Sequence, residues 1–292
     1  MTTQRWEWTG DRYSEGFFSH GHSNERRRLA LLETLLDGAT RERFRALGLK
    51  PGDRVLEAGG GGGSVARLLA EEGAQVTVTD LDTRFIDELA DSHGVRVLRH
   101  DLYTEDFPPG SFDFVHTRFV LTHLPDADLA IARLASWLAP GGVLLVEEPT
   151  SFPTLDSPHP GYRTIMRAYR THLERSIGSD TSWARTLPVP LARAGLVGLG
   201  LDVRIQHVNG GDDESEWWKL NLEAARPSMI ESGLATDAEF EAAYIELANP
   251  GFHDLSLAVH TAWGRAPGPV RRRPQAPADR QESPTSAERS SP

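Results

Sequence analysis

Short apolar segments alternate with helical patterns through the middle of the chain. Runs rich in valine, leucine and phenylalanine predict strands at residues 54–58, 75–79, 95–99, 112–116 and 143–147. Apolar residues at helical spacing between these runs predict helices at 64–72, 83–90 and 127–138. Strands that alternate with helices in this way are typical of a parallel sheet covered by helices on both faces.

Further elements flank this region on both sides. Before it, leucines at helical spacing follow Ser23, a predicted cap, and a short helix is predicted at 40–47, ended by Gly48. The patterns after it predict helices at 158–173 and 183–194, a strand at 201–208, helices at 214–232 and 236–247 (capped by Thr236 or Asp237), and a last strand at 255–263. The predicted fold is α/β: a doubly wound, mostly parallel seven-stranded sheet with added N-terminal helices and a helical insertion before the last strand.

The segment 266–292 differs from the rest. From Pro267 onward it contains six prolines, five arginines, three acidic residues and a single large aliphatic residue, Val270. Such a composition buries too little apolar surface to offset the entropy of ordering. We therefore predict one folded domain over residues 1–265 and a disordered Pro/Arg-rich tail over 266–292.

Composition excludes several classes of function. The net charge of −11 disfavours binding to a phosphate backbone, so we expect no nucleic-acid partner. The absence of cysteine excludes disulfides, thiolate nucleophiles and cysteine metal sites. No apolar run approaches the roughly 20 residues of a membrane span, and the N-terminus shows no secretory pattern, so we expect a cytoplasmic protein without a membrane partner.

The glycine run between the first predicted strand and helix is the strongest candidate for a binding site. Five glycines occupy positions 59–63, where they let the backbone turn sharply and approach a ligand at a helix N-terminus. Asp80 ends the second strand and can accept hydrogen bonds from ribose hydroxyls. Asp101 ends the third strand at the same sheet edge, where a carboxylate suits an adenine amino group. A flexible surface loop for the glycines and a turn cap for Asp101 are the structural alternatives.

With these residues in place, the chain resembles the class I S-adenosylmethionine-dependent methyltransferases. The resemblance rests on segments that occur in the order and spacing of that family: VLEAGGGGG at 55–63, VTD at 78–80, HDL at 100–102, FDFV at 112–115, VLTHLPD at 120–126 and LAPGGVLLVE at 138–147. It covers about residues 50–150 and continues more loosely to Trp263, where the last strand would be antiparallel. The unbroken glycine run departs from the family, which often carries a side chain at some of these positions.

The resemblance implies S-adenosylmethionine as the cofactor and a role for each matching residue. Glycines of the loop would wrap the methionine part, Glu57 would orient the loop or reach the amino group, Asp80 would hold the ribose, and Asp101 would meet the adenine. The end of the fourth strand, His116 to Arg118, would face the methionine carboxylate or the acceptor. The predicted cofactor-binding residues are Glu57, Gly59, Gly61, Gly63, Asp80, Leu81, Asp101, Leu102, Thr117 and Arg118.

The acceptor pocket is expected in the segments added to this core, at residues 1–49, 150–195 and 209–250. These segments hold most of the tryptophans, and pockets for small organic ligands are commonly lined by aromatic and apolar side chains. We expect one ring of the Trp217–Trp218 pair to face inward and the other outward, because neighbours on a helix point in different directions. The predicted pocket residues are Tyr13, Phe17, Met166, Trp183 and Trp218.

Methyl transfer from a sulfonium needs alignment more than acid–base help, but a hydroxyl acceptor would gain from a general base. The candidate bases are Glu147, Glu148, His123, His20 and His22. Glu148 is the preferred candidate, followed by His20, whereas His123 is expected to pack against the sheet. No set of metal ligands is recognisable, so no metal is expected.

The sequence thus predicts a methyltransferase acting on an oxygen, nitrogen or carbon of a small organic acceptor of the specialised-metabolite type, as a monomer or homodimer. Three alternatives stay open at this point. One is an enzyme that binds the same cofactor but catalyses a rearrangement or cyclisation. The others are a nicotinamide-dependent oxidoreductase, which shares the glycine-loop pattern, and a non-enzymatic interaction module that uses the basic tail.

Overall fold

A seven-stranded sheet forms the centre of the computed structural model, which describes residues 21, 23–90 and 94–268. The strands are β1 (Arg54–Ala58), β2 (Gln75–Asp80), β3 (Arg96–Arg99), β4 (Phe112–Arg118), β5 (Leu138–Thr150), β6 (Val197–Asn209) and β7 (His253–Arg265). Their order across the sheet is β3-β2-β1-β4-β5-β7-β6. Strands β1 to β5 pair in parallel, whereas β7 is antiparallel to both β5 and β6. The prediction of a doubly wound sheet with an antiparallel last strand is confirmed.

Helices cover both faces of the sheet and its carboxyl edge. They are α1 (Glu25–Leu47), α2 (Ser64–Glu71), α3 (Ala127–Ser136), α4 (Pro160–Ser176), α5 (Val189–Arg193), α6 (Asp213–Glu231) and α7 (Asp237–Ala248). Two predicted helix ends are confirmed. Gly48 ends α1 with a φ of 88°, and Thr236 caps α7 in a reciprocal capping box with Glu239.

Alternating residues of the central strands supply two separate cores. Leu56, Val115 and Leu144 pack with α3 on one face of the sheet. Val55 and Phe114 lie on the other face, in the cluster that also contains residues of α1 and α2. The apolar runs read from the sequence are therefore strands buried on both faces, which is the usual state of a parallel strand in an α/β fold.

The segments added to the sheet form a third apolar cluster of their own. Tyr162 and Met166 of α4 and Trp218 of α6 pack there together with Phe240 of α7 and Leu31 of α1. The N-terminal helix and the insertion before β7 are distant in sequence but build one unit. That unit stands over the carboxyl edge of the sheet and closes the side of the functional cavity.

The structure differs from the predicted helices in two places, before β1 and after β2. Residues 25–47 form one continuous helix, not two, and its N-cap is Asn24, whose side chain makes no capping bond, instead of Ser23. Packing of Phe44 and Leu47 against the sheet carries the helix through Gly38, since tertiary contacts override local propensity. Residues 83–90 form two short 3₁₀ turns instead of an α-helix.

A third difference lies before β6. The predicted helix at 183–194 is split into a 3₁₀ turn, Trp183–Thr186, and the short helix α5. The cause is Pro188, because a proline disfavours helical geometry in the residue before it. The proline was visible in the sequence and should have ended the predicted helix.

The Trp217–Trp218 prediction is also wrong, because both rings are buried. Their exposed fractions are 5% and 2%, and the ring centroids lie 4.7 Å apart. Helix α6 packs between other elements on two sides, so neighbouring positions can both point into the protein. Tyr13, Phe17, His20 and His22, and the tail from residue 269 onward, lie outside the described residues, and the domain boundary at 265/266 stays a prediction.

Candidate active site

A cavity opens at the carboxyl ends of the parallel strands, above the point where the chain order reverses between β1 and β4. Open α/β sheets bind ligands at this switch point. Gly59 and Asp80 line it from the sheet side, whereas Met166, Trp217 and Trp218 line it from the added helices. One continuous cavity therefore joins the predicted cofactor residues to the predicted acceptor region.

The glycine loop is held in one conformation by backbone and side-chain hydrogen bonds. The amides of Gly59 and Gly60 both donate to the carbonyl oxygen of Thr79, at 2.8 and 2.9 Å. The amide of Gly61 donates to Asp80 Oδ2 at 2.9 Å. The glycine loop is thus anchored to the end of β2 and is not the flexible surface loop of the structural alternative, and Asp80 both shapes the loop and lines the cavity.

The loop glycines serve different purposes. A Cβ on Gly59 would collide with the Val120 side chain, whereas a Cβ on Gly61 would meet only Leu29, at 3.8 Å. Gly63 has a φ of 86° and occupies the N-cap of α2, away from the cavity wall formed by Gly59 and Gly61. Gly61 therefore keeps space open for a ligand, whereas Gly59 and Gly63 serve the packing of the loop.

The ends of β2 and β3 bring a set of polar and apolar groups to the same wall. Asp80, Leu81, His100, Asp101 and Leu102 all line the cavity. Asp101 also caps its own turn, because its carboxylate accepts hydrogen bonds from the Tyr103 amide at 2.8 Å and from Thr104 Oγ1 at 2.9 Å. The turn-cap alternative for Asp101 and its place at the cavity are thus both observed.

His100 is a wall residue to which no role was assigned from the sequence. Its ring stacks on Phe107 with centroids 4.5 Å apart, and neither ring nitrogen has a hydrogen-bond partner among the described residues. Burial lowers the pKa of His100, so the ring is neutral near pH 7. Only its place in the HDL segment, directly before Asp101, could have indicated from the sequence that His100 lines the cavity.

This wall fits a nucleoside cofactor that carries an amino acid. Carboxylates at Asp80 and Asp101 suit ribose hydroxyls and an adenine amino group, and Leu81 and Leu102 give an apolar surface beside them. The space above Gly61 admits a ligand close to the backbone. The residues present therefore match the needs of S-adenosylmethionine.

The end of β4 divides its predicted cofactor residues between two faces. Arg118 lines the cavity, and its guanidinium donates to Asp37 Oδ1 at 2.9 Å and to Thr40 Oγ1 at 3.1 Å. Thr117 is fully buried, and its hydroxyl has no partner among the described residues. The prediction of Thr117 as a cofactor ligand is therefore wrong, because strand alternation places it on the opposite face from Arg118.

Glu57 and His116 belong to a buried charged cluster behind the loop. His116 lies between two carboxylates, with Nδ1 2.5 Å from Glu57 Oε2 and Nε2 3.2 Å from Glu147 Oε2. Burial alone lowers the pKa of His116, but the two carboxylates outweigh burial and raise it to about 9. Glu57 is thus engaged by His116 instead of the cavity, a position suited to orienting the loop and not to reaching the cofactor amino group.

Glu148, the preferred general base, is in the wrong place for that role. Its side chain is completely buried, and its two oxygens accept hydrogen bonds from the backbone amides of Val120, Leu121 and Thr122 at 2.8–3.2 Å. Burial raises the pKa of Glu148 to about 7, against the effect of these amides. Glu148 shapes the backbone after β4 and does not touch the cavity. Glu147, the neighbouring candidate, is likewise occupied by Thr40 and His116.

His123 is the candidate base that the structure brings to the cavity. It lines the wall beside Thr122, and Nδ1 makes a 2.7 Å hydrogen bond with Ser179 Oγ. Burial, with a smaller contribution from Arg28, lowers the pKa of His123 to about 3, so the ring is neutral near pH 7. His123 therefore lines the cavity, whereas the sequence predicted that it packs against the sheet.

The acceptor half of the cavity is apolar with a small polar group at one side. Met166, Trp217 and Trp218 provide the predicted apolar wall. Glu25 and Arg28 form a buried ion pair in the same wall, with hydrogen bonds of 2.8 and 2.6 Å. The carboxylate of Glu25 and the guanidinium of Arg28 have opposite charges, so this pair adds no net charge to the wall.

Trp183 is a predicted pocket residue that lies elsewhere. Its indole nitrogen donates to Asp128 Oδ1 at 2.9 Å, and its ring packs against the core on the α3 side of the sheet. Trp183 therefore stabilises the fold and does not contact the acceptor region.

Neither a metal-binding cluster nor a membrane-spanning helix is present in the described part of the chain. No group of three or more histidine, aspartate or glutamate side chains there has the geometry to hold a metal ion. In the same part of the chain, every helix is too short or too polar to cross a bilayer.

Comparison with known proteins gives a consistent picture. A family model described as a methyltransferase domain matches residues 24–197. The ubiquinone/menaquinone biosynthesis C-methyltransferase of Teredinibacter turnerae is 37% identical over 112 residues, which are 35% of this chain and 45% of that protein. The ubiquinone biosynthesis O-methyltransferase of Xanthomonas campestris is 40% identical over 103 residues, 33% of this chain and 43% of the relative. The chain thus spans less than half the length of these curated relatives.

The fold is also found among solved structures. The YcgJ protein from Bacillus subtilis superimposes with a TM-score of 0.55 at 15% sequence identity, covering 79% of this chain and 99% of the other. At this identity the similarity concerns the fold alone. It agrees with the sheet order and the switch point described above.

Proposed function

Because this chain belongs to the class I S-adenosylmethionine-dependent methyltransferase family, we propose that it transfers the methyl group of this cofactor to a hydroxyl oxygen of a small, neutral and largely apolar acceptor. The observation that carries the proposal is the single cavity that joins Gly61 and Asp80 to Met166 and Trp218. The glycine loop gives one end a site for the cofactor, and the added helices give the other end an apolar site for an organic molecule. The nicotinamide-dependent alternative has no support from the comparisons.

The cofactor side is assigned to residues of the sheet edge. Asp80 would hold the ribose, Asp101 and Leu102 would meet the adenine, and Arg118 would pair with the methionine carboxylate. Bound there, the cofactor supplies an activated methyl group on a positively charged sulfur that leaves as a neutral thioether. Alignment of the acceptor oxygen is then the main task of the protein.

The class of acceptor follows from the opposite wall. Its surface is mainly aromatic and aliphatic, and its buried charges, Glu25 and Arg28, neutralise each other. A phosphorylated or otherwise highly charged acceptor would place an unpaired charge against this apolar wall, which is energetically unfavourable. A ring-containing, neutral molecule of the specialised-metabolite type satisfies the wall, and we assign this class to the site.

His123 is assigned as the proton acceptor for the hydroxyl. A neutral imidazole at the wall can take the proton on Nε2, while the Nδ1 hydrogen bond to Ser179 keeps the ring in place. The depressed pKa does not prevent this step, because the cavity loses one positive charge from the cofactor as the imidazolium forms. The net charge in the buried space stays constant, so the burial penalty that lowers the pKa of the empty site is offset.

The test is methyl transfer from radiolabelled S-adenosylmethionine to matched acceptors. We expect label to enter a hydroxylated, apolar aromatic compound and not its methyl ether or its phosphate ester. Transfer to the corresponding amine but not to the hydroxyl compound would overturn the assignment of oxygen. A changed product without label would instead favour the rearrangement or cyclisation alternative.

Variants of His123 test the assigned base. His123→Ala should lower kcat by roughly a hundredfold or more while the affinity for S-adenosylhomocysteine stays unchanged. Added imidazole should restore part of the rate, which a purely structural role would not allow. His253→Asn, at an exposed histidine on β7, is the matched control and should keep the full rate. An unchanged kcat in His123→Ala would contradict the assignment.

A further inference from the structure

Strand β6 presents an unusual surface because it is both the edge of the sheet and apolar along one face. Its free edge has no strand beside it in the described part of the chain. Leu199, Leu201, Val203 and Ile205 alternate along the strand and are 36–46% exposed. Alternation places these four on the same face, whereas a register break between Val197 and Gly200 turns Val197 to the other face. A long, apolar edge strand without cover is a template for pairing with another chain.

The two faces of β6 differ in their contacts. Asp202, on the face of the even-numbered residues, pairs with Arg43 of α1, and a Cβ on Gly200 would collide with Trp263. Helix α1 therefore covers that face. The opposite face should be covered by the helices that precede β6, but α5 is only five residues long and leaves the stripe open.

The tail of the chain is a poor occupant for this stripe. Residues 269–292 include one large aliphatic side chain, Val270, among prolines, arginines and polar residues. A segment of this composition cannot replace water over four aliphatic side chains.

We propose that β6 pairs with β6 of a second copy of this chain in an antiparallel, two-fold symmetric dimer centred on Val203. The register of β6 is regular only between its two breaks, from Gly200 to Ile205, and Val203 lies within this stretch. A two-fold axis at Val203 pairs residues 201–205 with the same residues of the second copy.

Charge also favours this register. With the axis at Val203, Asp202, which pairs with Arg43 of its own copy, lies directly opposite Arg204 of the second copy, and symmetry repeats this contact. Arg204 is exposed and forms no ion pair with any other described residue. A register centred one residue away would place Asp202 against Asp202, or Arg204 against Arg204, and like charges in this position are destabilising.

The apolar faces of the two copies also match. In the same register Leu201 meets Ile205 of the second copy, and Val203 meets itself. A two-fold axis perpendicular to the sheet keeps the apolar stripes of both copies on one side. Cross-strand pairs of this kind are the main source of stability in sheet pairing. Charge and apolar contacts therefore select the same register.

The absence of cysteine from this chain allows a decisive cross-linking experiment. Val203→Cys should form an intermolecular disulfide on mild oxidation, since directly opposed residues of antiparallel strands lie about 4.5–5.5 Å apart at Cα, within the range of disulfides. Leu201→Cys is the matched control. Its side chain is exposed on the same face as Val203 but would lie opposite Ile205 of the second copy, so it should stay reduced. Equal cross-linking of both variants, or none in Val203→Cys, would overturn the proposal.

Charge reversal provides an independent test by sedimentation equilibrium. The unaltered protein should be dimeric, and Arg204→Asp should weaken the dimer by roughly tenfold because two attractive pairs become repulsive. The double variant D202N/R204D should recover part of the dimer, since asparagine at position 202 removes the repulsion between the two carboxylates without placing a second cation beside Arg43. Arg96→Asp, on the opposite edge strand β3, should have no effect.

Three outcomes would contradict the dimer: a monomeric unaltered protein, an unaffected dimer in Arg204→Asp, or a failure of the double variant to recover. A monomer would show that the apolar stripe of β6 does not pair with a second copy. Methyl transfer by the monomer would leave the proposed function untouched, so the two proposals fail separately.

Discussion

The imidazole of His116 and the carboxylate of Glu57 form a buried pair directly behind the glycine loop. The two residues lie side by side on β4 and β1, and Nδ1 is 2.5 Å from Oε2. Glu147 approaches the other ring nitrogen from β5. The strands that carry the cofactor loop are therefore joined by charge as well as by their backbone ladder.

This cluster predicts how stability depends on pH. The pKa of His116 is about 9 in the folded protein, above the ordinary value of about 6.5 that it regains on unfolding. The protonated ring thus contributes stability below pH 6.5, and this contribution is lost as the pH rises through 9. Its size is on the order of 3 kcal/mol.

Urea unfolding at a series of pH values measures this loss. His207→Asn, at an exposed histidine, should show the same decline as the unaltered protein. Nuclear magnetic resonance should show the His116 ring protonated at pH 8. A free energy of unfolding that is constant between pH 6.5 and 9 would contradict the charged cluster.

Asp80→Ala is expected to weaken S-adenosylhomocysteine binding by about 1–3 kcal/mol, or roughly 5- to 150-fold. The variant removes an acceptor from the cavity and also frees the Gly61 amide from its 2.9 Å hydrogen bond. Asp80→Asn keeps an acceptor oxygen and should lose less affinity. Calorimetric titration checks both, with Asp87→Ala as a control outside the cavity wall. An unchanged affinity in Asp80→Ala would show that the ribose assignment is wrong.

Gly61→Ala and Gly59→Ala should distinguish the glycine that leaves space for the ligand from the glycine that allows the loop to pack. The added Cβ at Gly61 has room in the protein but occupies the ligand space, whereas at Gly59 it collides with Val120. Both positions have a positive φ, so each substitution also costs about 1–2 kcal/mol of backbone strain. Gly61→Ala should therefore lose cofactor affinity with a small fall in Tm, and Gly59→Ala should show the larger fall. The reverse order of Tm values would refute this division.

Glu148→Gln tests whether this carboxylate is structural. One amide oxygen replaces two carboxylate oxygens that serve three backbone amides, so we expect a loss of about 1–3 kcal/mol in the free energy of unfolding. The folded variant should keep kcat close to the original value. Glu174→Gln, at a surface position, is the control. A hundredfold loss of kcat with unchanged Tm would reinstate Glu148 as a base.

The sequence predicted the cofactor side of the site well because its signals are local. Gly61 and Asp80 are 19 residues apart and belong to consecutive strand ends, so a β-α-β pattern alone places them at one edge. The same holds for Asp101. Alternation along β4 was equally visible, and it should have separated Arg118 from Thr117.

The catalytic assignment failed because it depends on partners distant in the chain. Glu148 was placed correctly at the end of a strand, but the three amides that occupy it come from residues 120–122. His123 reaches the cavity, and its ring nitrogen Nδ1 is held by Ser179, 56 residues later. The periodicity of hydrophobic residues along the sequence does not predict contacts between residues so far apart.

What the sequence by itself determined is the order of strands and helices, the glycine loop and the carboxylates at the sheet edge, since hydrophobic period and chain order suffice for these. Tertiary structure alone decided which of the polar groups stay exposed to a ligand. Glu57, Glu147 and Glu148 are all bound by other parts of the protein, because a buried charge requires partners wherever the fold provides them. It also decided that β6 ends the sheet with one apolar face open.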